Sequence, residues 1–151
     1  MSASNHLNPT REQFRALKSI PQDQPVLMIN LLRFNKVAQY APDDPEYGDA
    51  PVSGEVAYGR YAAGTEAIVI AAGGSQDWIG RPMLTIIGSE DEAWDHAFVA
   101  RYPSPQAFMD MVRNPGYQAA VRHRNAATAD SRLICCATET PGATFLAGTP
   151  E

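Results

Sequence analysis

The chain of 151 residues is long enough to bury a hydrophobic core, and its 44% hydrophobic and 19% charged residues are typical of a globular protein. The net charge of −5 argues against a general nucleic-acid binder, which needs a basic face to meet phosphates. No run approaches the roughly 20 apolar residues of a membrane span, so no membrane partner is expected.

The first stretch, MSASNHLNPTREQF, is polar and lacks the apolar run of a signal peptide. Asn8-Pro9 predicts a helix N-cap followed by proline at the first helical position. Phe14 and Leu17 follow at helical spacing, and Pro21 ends the pattern. Residues 1–24 are therefore interpreted as a short helix and linker.

Residues 25–34, PVLMINLLRF, predict a strand that is apolar on both faces and hence buried on both, with Asn30 and Arg33 as polar exceptions. Residues 35–52 are rich in proline and acidic side chains, which predicts a loop. A loop of this length is either a plain surface insertion or a binding segment such as a lid.

Ser53 predicts the cap of a helix that runs to about Ala72 and ends at Gly73-Gly74. One face of this helix carries residues at three- and four-residue steps: Tyr58, Tyr61, Thr65, Ile68 and Ala72. A strand is predicted over Asp77–Gly88, with a bulge or an edge at Gly80 and Pro82.

A third strand is predicted over Trp94–Tyr102, and Ser104-Pro105 then predicts a capped helix. Asn114-Pro115 interrupts that helix and starts another, with one side made of Tyr117, Ala120, Val121 and Arg124. Ser131–Glu139 predicts the last strand.

Two adjacent cysteines, Cys135 and Cys136, lie in that last strand. Adjacent strand residues point to opposite faces, so the pair is poorly placed to form a disulfide. With no other cysteine in the chain, this fits a reducing cytoplasmic compartment. Residues 139–151 are interpreted as a weakly patterned tail, loose or docked on a partner subunit.

The order of elements is β-α-β-β-α-β, which predicts a ferredoxin-like α+β fold: an antiparallel four-stranded sheet with helices on one face. We interpret residues 1–151 as a single domain with its core at 25–138. Two helical elements can cover only one side of the sheet, yet the first strand is apolar on both sides. We therefore expect a homodimer through the other face, and pairing of dimers into a tetramer stays open.

Six stretches together resemble the long form of an uncharacterised bacterial family, domain of unknown function 1330, in the dimeric α/β-barrel superfamily. They are VLMINLLRF, SGEVAYGRYA, the Gly73-Gly74 pair, WDHAFVARYPSPQAFMDM, NPGYQAAVRHRNAA and DSRLI. The resemblance spans about residues 25–136. It implies the fold and the dimer but no established activity. Wider relatives include cofactor-independent monooxygenases, haem-dependent chlorite dismutase-like enzymes and muconolactone isomerase-like enzymes, and transfer of those reactions would be analogy by fold alone.

No metal or cofactor is predicted. The histidines, His6, His96 and His123, fall on separate elements without metal-ligand spacing. Gly73-Gly74 follows a helix rather than a strand, so it is a cap and not a phosphate loop. Ser104 lacks the glycines of a nucleophile elbow.

The remaining candidate is a cleft between sheet and helices. We expect His96 to act there as a general acid or base, since its intrinsic pKa is near 6.5. The ligand-binding residues that we predict around it are Asn30 and Tyr58 as polar orienters, Arg33 or Arg101 as anion holder, Trp94 as a wall, and Tyr61. Alternatively, His96 is a hydrogen-bonded sheet histidine and Asn30 satisfies a backbone group.

Two functions remain open. The first is binding or transformation of a small aromatic or acidic metabolite, by a cofactor-independent oxygenase- or isomerase-like enzyme if it is catalytic. The second is a non-catalytic homo-oligomeric binding or assembly module, in which the same residues form the core and the dimer interface. The sequence does not decide whether the protein is an enzyme.

Overall fold

A computed structural model describes residues 5–148, and within that range four antiparallel strands form one sheet in the order β2-β3-β1-β4. The strands are β1 (Val26–Phe34), β2 (Ser75–Gly80), β3 (His96–Tyr102) and β4 (Thr128–Ala137). The helices are α1 (Arg11–Leu17), α2 (Gly54–Ala71), α3 (Pro105–Arg113) and α4 (Pro115–Ala127), and a short 3₁₀ turn spans Glu90–Glu92. This order and topology confirm the predicted ferredoxin-like α+β fold.

The central strand β1 sets the two faces of the sheet. Met28 pairs with Ala100 on one side and Cys135 on the other, and these side chains face the helices. Ile29, one residue along, pairs with Val99 and Ile134 on the opposite face. We refer to these as the inner face and the outer face.

The helices cover the inner face only. Met28 and Leu32 are buried there, and Phe108 and Met111 of α3 and Tyr117 of α4 pack in the same core. On the outer face the apolar side chains are uncovered within the described chain, and they include Ile29, Trp78 and Ile134. The sequence predicted that β1 is apolar on both faces. Within the described chain, helices cover only one of these faces.

Helix starts follow local capping chemistry. Ser53 and Ser104 accept hydrogen bonds from the backbone N–H groups of Val56 and Ala107, as the sequence predicted. The prediction that Asn8 caps the first helix is wrong. Thr10 and Gln13 form a reciprocal capping box instead, and this arrangement satisfies two backbone donors.

Two strand boundaries also differ from prediction. β2 ends at Gly80 rather than Gly88, because Pro82 has no N–H for the ladder and the following apolar side chains, such as Ile86, are almost fully exposed. β3 begins at His96 rather than Trp94. Asp95 uses its carboxylate to accept the Phe34 N–H, so it ends the regular ladder.

The loop over residues 35–52 contains no helix or strand, as predicted. The last strand lies at Thr128–Ala137 rather than Ser131–Glu139. Of the predicted terminal segments, residues 1–4 and 149–151 lie outside the described part of the chain. No helix found between residues 5 and 148 is both long and apolar enough to cross a bilayer.

Candidate ligand-binding cleft

An open cleft of about 1760 Å³ lies between the inner face of the sheet and the helices. Its floor is made of side chains from all four strands, and its roof comes from α2, α3 and α4. Residues 6–18, including α1, border it on the remaining side. The space exceeds the 300–1,000 Å³ typical of small-molecule pockets, so it can admit more than a single ring.

Strand register orders the floor into rows that run across the sheet. His96, Leu32 and Ser131 form the first row, and Phe98, Asn30 and Leu133 form the second. The third row is Ala100, Met28 and Cys135. On β1, β3 and β4 the polar floor residues therefore lie in the first two rows, and the third row is apolar apart from a thiol. On β2 the third row continues with Gln76.

His96 lies at the polar end among aromatic rings. Its ring centroid is 5.6 Å from that of Phe98 and 6.1 Å from those of Phe34 and Tyr58. Among residues 5–148 nothing hydrogen-bonds to the imidazole. Burial lowers the pKa of His96 below its ordinary value, and the charge of Arg81 adds to this effect. This shift favours the neutral imidazole, the form that can accept a proton.

Tyr58 and Tyr61 project from α2 because they are three residues apart on one helix face. Their ring centroids are 5.2 Å apart, and the Tyr61 hydroxyl lies 2.7 Å from that of Tyr117 on α4. Burial raises the pKa values of Tyr58 and Tyr61 well above the usual range. These tyrosines are therefore neutral phenols, which can orient a ligand by hydrogen bonds.

Asn30 occupies the centre of the second row and lines the cleft. Its amide nitrogen donates to the Met28 carbonyl at 3.1 Å. No described residue donates to its amide oxygen, which leaves an acceptor for a ligand. The structure thus brings four of the predicted site residues, namely His96, Asn30, Tyr58 and Tyr61, to one cleft.

Three other predicted site residues lie elsewhere, and their placement in the cleft is corrected here. Arg33 is on the outer face, 3.7 Å from Asp130, and Arg101 is on the same face, 2.8 Å from Asp77. Both have the opposite strand parity to Asn30 and His96, so they cannot reach the inner face. Trp94 precedes β3, and its ring stacks under the guanidinium of Arg132.

Sequence reasoning missed Arg124 as a site residue. It lies on the same side of α4 as Tyr117 and Val121, and all three line the cleft. The guanidinium donates to the Leu7 carbonyl and, at 3.3 Å, to the Ser131 hydroxyl. The amide oxygen of the next residue, Asn125, is buried and lacks a hydrogen-bond partner within residues 5–148. The sequence placed Arg124 on the same helix face as Tyr117, but it did not indicate the contact between Arg124 and Ser131.

The 35–52 loop does not border this cleft. It packs against α4, where the Tyr40 hydroxyl lies 2.7 Å from His123 Nδ1 and Arg122 pairs with Asp44 and Glu46. A separate pocket of about 190 Å³ lies within the loop.

Across the described residues, no group of three or more histidine, cysteine or acidic side chains is placed to hold a metal ion.

The fold and the cleft define the class: a ferredoxin-like α+β protein with a partly polar cleft under its helices. Comparison with solved structures agrees with this class. The methylated RPA0582 protein is 38% identical, with a TM-score of 0.84 over 93% of this chain and 99% of that one. Another structure of RPA0582, described as a protein of unknown function from Rhodopseudomonas palustris, is also 38% identical, with a TM-score of 0.82 over 91% and 100%.

The chain therefore belongs to the same family as RPA0582. A more distant match is a dabb family protein with a ferredoxin-like fold from Mesorhizobium loti, at 13% identity and a TM-score of 0.48 over 77% of this chain and 98% of that one. So loose a likeness carries no argument about function. No protein-family model and no curated protein matches the sequence, so the name domain of unknown function 1330 is not confirmed.

Proposed function

We propose that the protein binds a small aromatic or acidic metabolite in the cleft, with His96 as the group that exchanges a proton with it. The observation that carries the proposal is the convergence of His96, Asn30 and Tyr58 on one open cleft. Ligand sites are mainly apolar, with a few polar groups that fix orientation. The larger share of this cleft's lining area is likewise apolar, and charged side chains of residues 6–18 border it.

The chemistry suits an acid–base role for the imidazole. A neutral His96 without a protein partner can take a proton from a phenol or from a carbon next to a carbonyl group. The neutral hydroxyl of Tyr58 and the second N–H of the Asn30 amide would then donate to the oxygen on which charge develops. A cofactor-independent oxygenase- or isomerase-like reaction is compatible with these groups.

A thermal-shift screen of phenols, benzoates and aromatic keto acids tests this proposal. We expect a compound that raises the melting temperature of the wild-type protein to lose that effect in His96→Ala. His123→Ala is the matched control, since that histidine contacts the 35–52 loop and lies away from the cleft. A shift that survives His96→Ala would remove His96 from the site, and the absence of any shift across the screen would count against ligand binding.

A second proposal concerns the outer face. We propose that a second copy of the chain covers it to form a homodimer, because Ile29, Trp78 and Ile134 leave apolar area exposed on one surface. Monomeric proteins seldom expose large contiguous apolar patches. In the alternative function, this assembly is the protein's role and the cleft is not a catalytic site. Sedimentation velocity over a dilution series measures the assembly directly.

A further inference from the structure

The cleft has two chemically different ends. One end holds His96, Asn30 and the Tyr58 ring, together with Arg124 above Ser131. The other end, at the third row, is lined mainly by apolar side chains, with Gln76 at its β2 edge. These include Met28, Ala100, Phe108, Met111 and Val112. A ligand that fills the whole cleft must therefore be polar at one end and apolar along the rest.

Arg124 has a defined position at the polar end. Its guanidinium contacts Ser131, which shares the first floor row with Leu32 and His96. Neighbouring strands are about 4.8 Å apart, so Ser131 and His96 are separated by roughly 10 Å across the sheet. A group held by Arg124 would thus lie in the same cleft as Tyr58 and His96, on the Ser131 side of the first row.

Within the part of the chain that the structure describes, no acidic side chain balances the charge of Arg124. Within residues 5–148 no carboxylate lies within 4 Å of its guanidinium, and its described contacts are two neutral oxygens, the Leu7 carbonyl and the Ser131 hydroxyl. A guanidinium carries five N–H donors, so donors remain for a ligand. A half-buried cation is stabilised by an anion, and arginine and carboxylate match in geometry.

The other cations that border the cleft differ from Arg124. Arg132 is paired with Asp130 and Glu92 at 2.9 Å. Arg113 is exposed and lies over the Phe14 ring, and the basic residues of α1 are exposed as well. Arg124 is thus the cation that combines partial burial, a place at the polar end and no acidic partner among the described residues.

Building on the proposed function of the cleft, we infer that its ligand is an amphipathic carboxylate: an acid group held by Arg124, with a hydrophobic body along the apolar end. The body is either a fused aromatic system or an alkyl chain, since both match the apolar lining. A single-ring acid such as benzoate would reach the anchor but leave the apolar end empty.

Isothermal titration with three acids and their alcohols tests this inference. The acids are benzoate, 2-naphthoate and decanoate; the alcohols are benzyl alcohol, 2-naphthalenemethanol and 1-decanol. We expect the two larger acids to bind at least tenfold more tightly than benzoate, since more apolar surface is buried. Each acid should bind at least about tenfold more tightly than its alcohol, because the alcohol cannot form the charged hydrogen bond between a carboxylate and Arg124. The tighter binder of 2-naphthoate and decanoate then shows whether the hydrophobic part of the ligand is a fused aromatic system or an alkyl chain.

The variants assign the acid preference to one residue. Arg124→Gln should bring the ratio of acid to alcohol affinity near one, whereas Arg124→Lys should retain part of it. Arg113→Gln, which removes another cation at the border of the cleft, should leave the ratio unchanged. The ratio is taken within each variant, so a general loss of stability cancels, and Arg124→Lys keeps the charge should Arg124→Gln fail to fold.

Two kinds of failure can be told apart. Alcohols that bind as well as acids, or an acid preference that persists in Arg124→Gln, would overturn the carboxylate anchor while leaving ligand binding at His96 intact. Benzoate that binds as tightly as the larger acids would overturn the role of the apolar end. If none of these six compounds binds and the screen of phenols and keto acids is also negative, the proposed function fails as well.

Discussion

The inner and outer faces of the sheet are built from the same strands but end in different surroundings. On β1, Met28 and Leu32 are 1% and 0% exposed under the helices, whereas Ile29 between them is 37% exposed. Ile134, its neighbour on β4, is 51% exposed. The apolar side chains of β1 therefore predict that both faces of the sheet are buried. The helices of one chain bury the inner face only.

The largest effect is expected from truncating one leucine on each face of the sheet, which tests whether the inner face is better packed than the outer face. Leu32→Ala should lower the free energy of unfolding by about 2–5 kcal/mol, because the side chain is fully buried and leaves a cavity. Leu31→Ala, the same change one residue away on the outer face, should cost about half of that or less. Urea unfolding at low protein concentration measures both. Equal costs would mean that the outer face is as well packed as the inner one.

A charge on the outer face tests what covers it. Ile134→Lys should weaken self-association on the order of 30-fold, the equivalent of about 2 kcal/mol at a central interface position. The stability of the monomer should change by only about 0.5 kcal/mol, since the side chain is exposed within one chain. Sedimentation velocity of both proteins over a dilution series gives the dissociation constants. A wild-type protein that stays monomeric at all concentrations would contradict the dimer.

The smallest effect concerns the histidine on the inner face. The fold lowers the pKa of His96, first by burial and then by the charge of Arg81, while Glu55 opposes this. The unfolded chain, with a histidine pKa of about 6.5, then binds more protons near that pH. Folding stability is therefore lost as the pH falls through about 6.5 and is regained above it.

His96→Gln should make the urea midpoint fall less steeply between pH 7 and pH 5. His123→Gln is the comparison outside the cleft. Burial also lowers the pKa of His123, so each change should remove a separate part of the slope. NMR titration of the imidazoles gives the direct measurement. A His96 pKa at or above that of a free histidine would show that the helices do not shield the inner face from water.

Much of the fold followed from local signals in the sequence. Ser53 and Ser104 cap helices where predicted, and the doubly apolar β1 is one of the two inner strands of the sheet. The error at residues 81–88 has a physical cause. Apolar composition indicated a continuing strand, but a strand needs a partner as well, and β2 loses its pairing with β3 after Gly80. A pattern of side chains does not reveal where a neighbouring strand ends.

The sequence predicted part of the candidate site, namely the residues whose position follows from local alternation. Strict alternation separates Arg33 and Arg101 from Asn30 and His96, so the two anion holders were excluded by information already in the sequence. Arg124 was visible on the helical stripe of Tyr117. Its role at the cleft depends on contacts with Leu7 and Ser131, which are distant in the chain or on another element, and no local pattern encodes such contacts.

The sheet is at once the floor of the cleft and, in the proposed dimer, half of an interface. Asn30 and Ile29 share one peptide unit, yet their side chains serve opposite faces. If a ligand orders the floor and a second copy orders the same strands from behind, the two equilibria are coupled, and thermodynamic linkage makes the coupling reciprocal. A ligand that tightens the dimer by some factor must itself bind the dimer more tightly than the monomer by a matching amount.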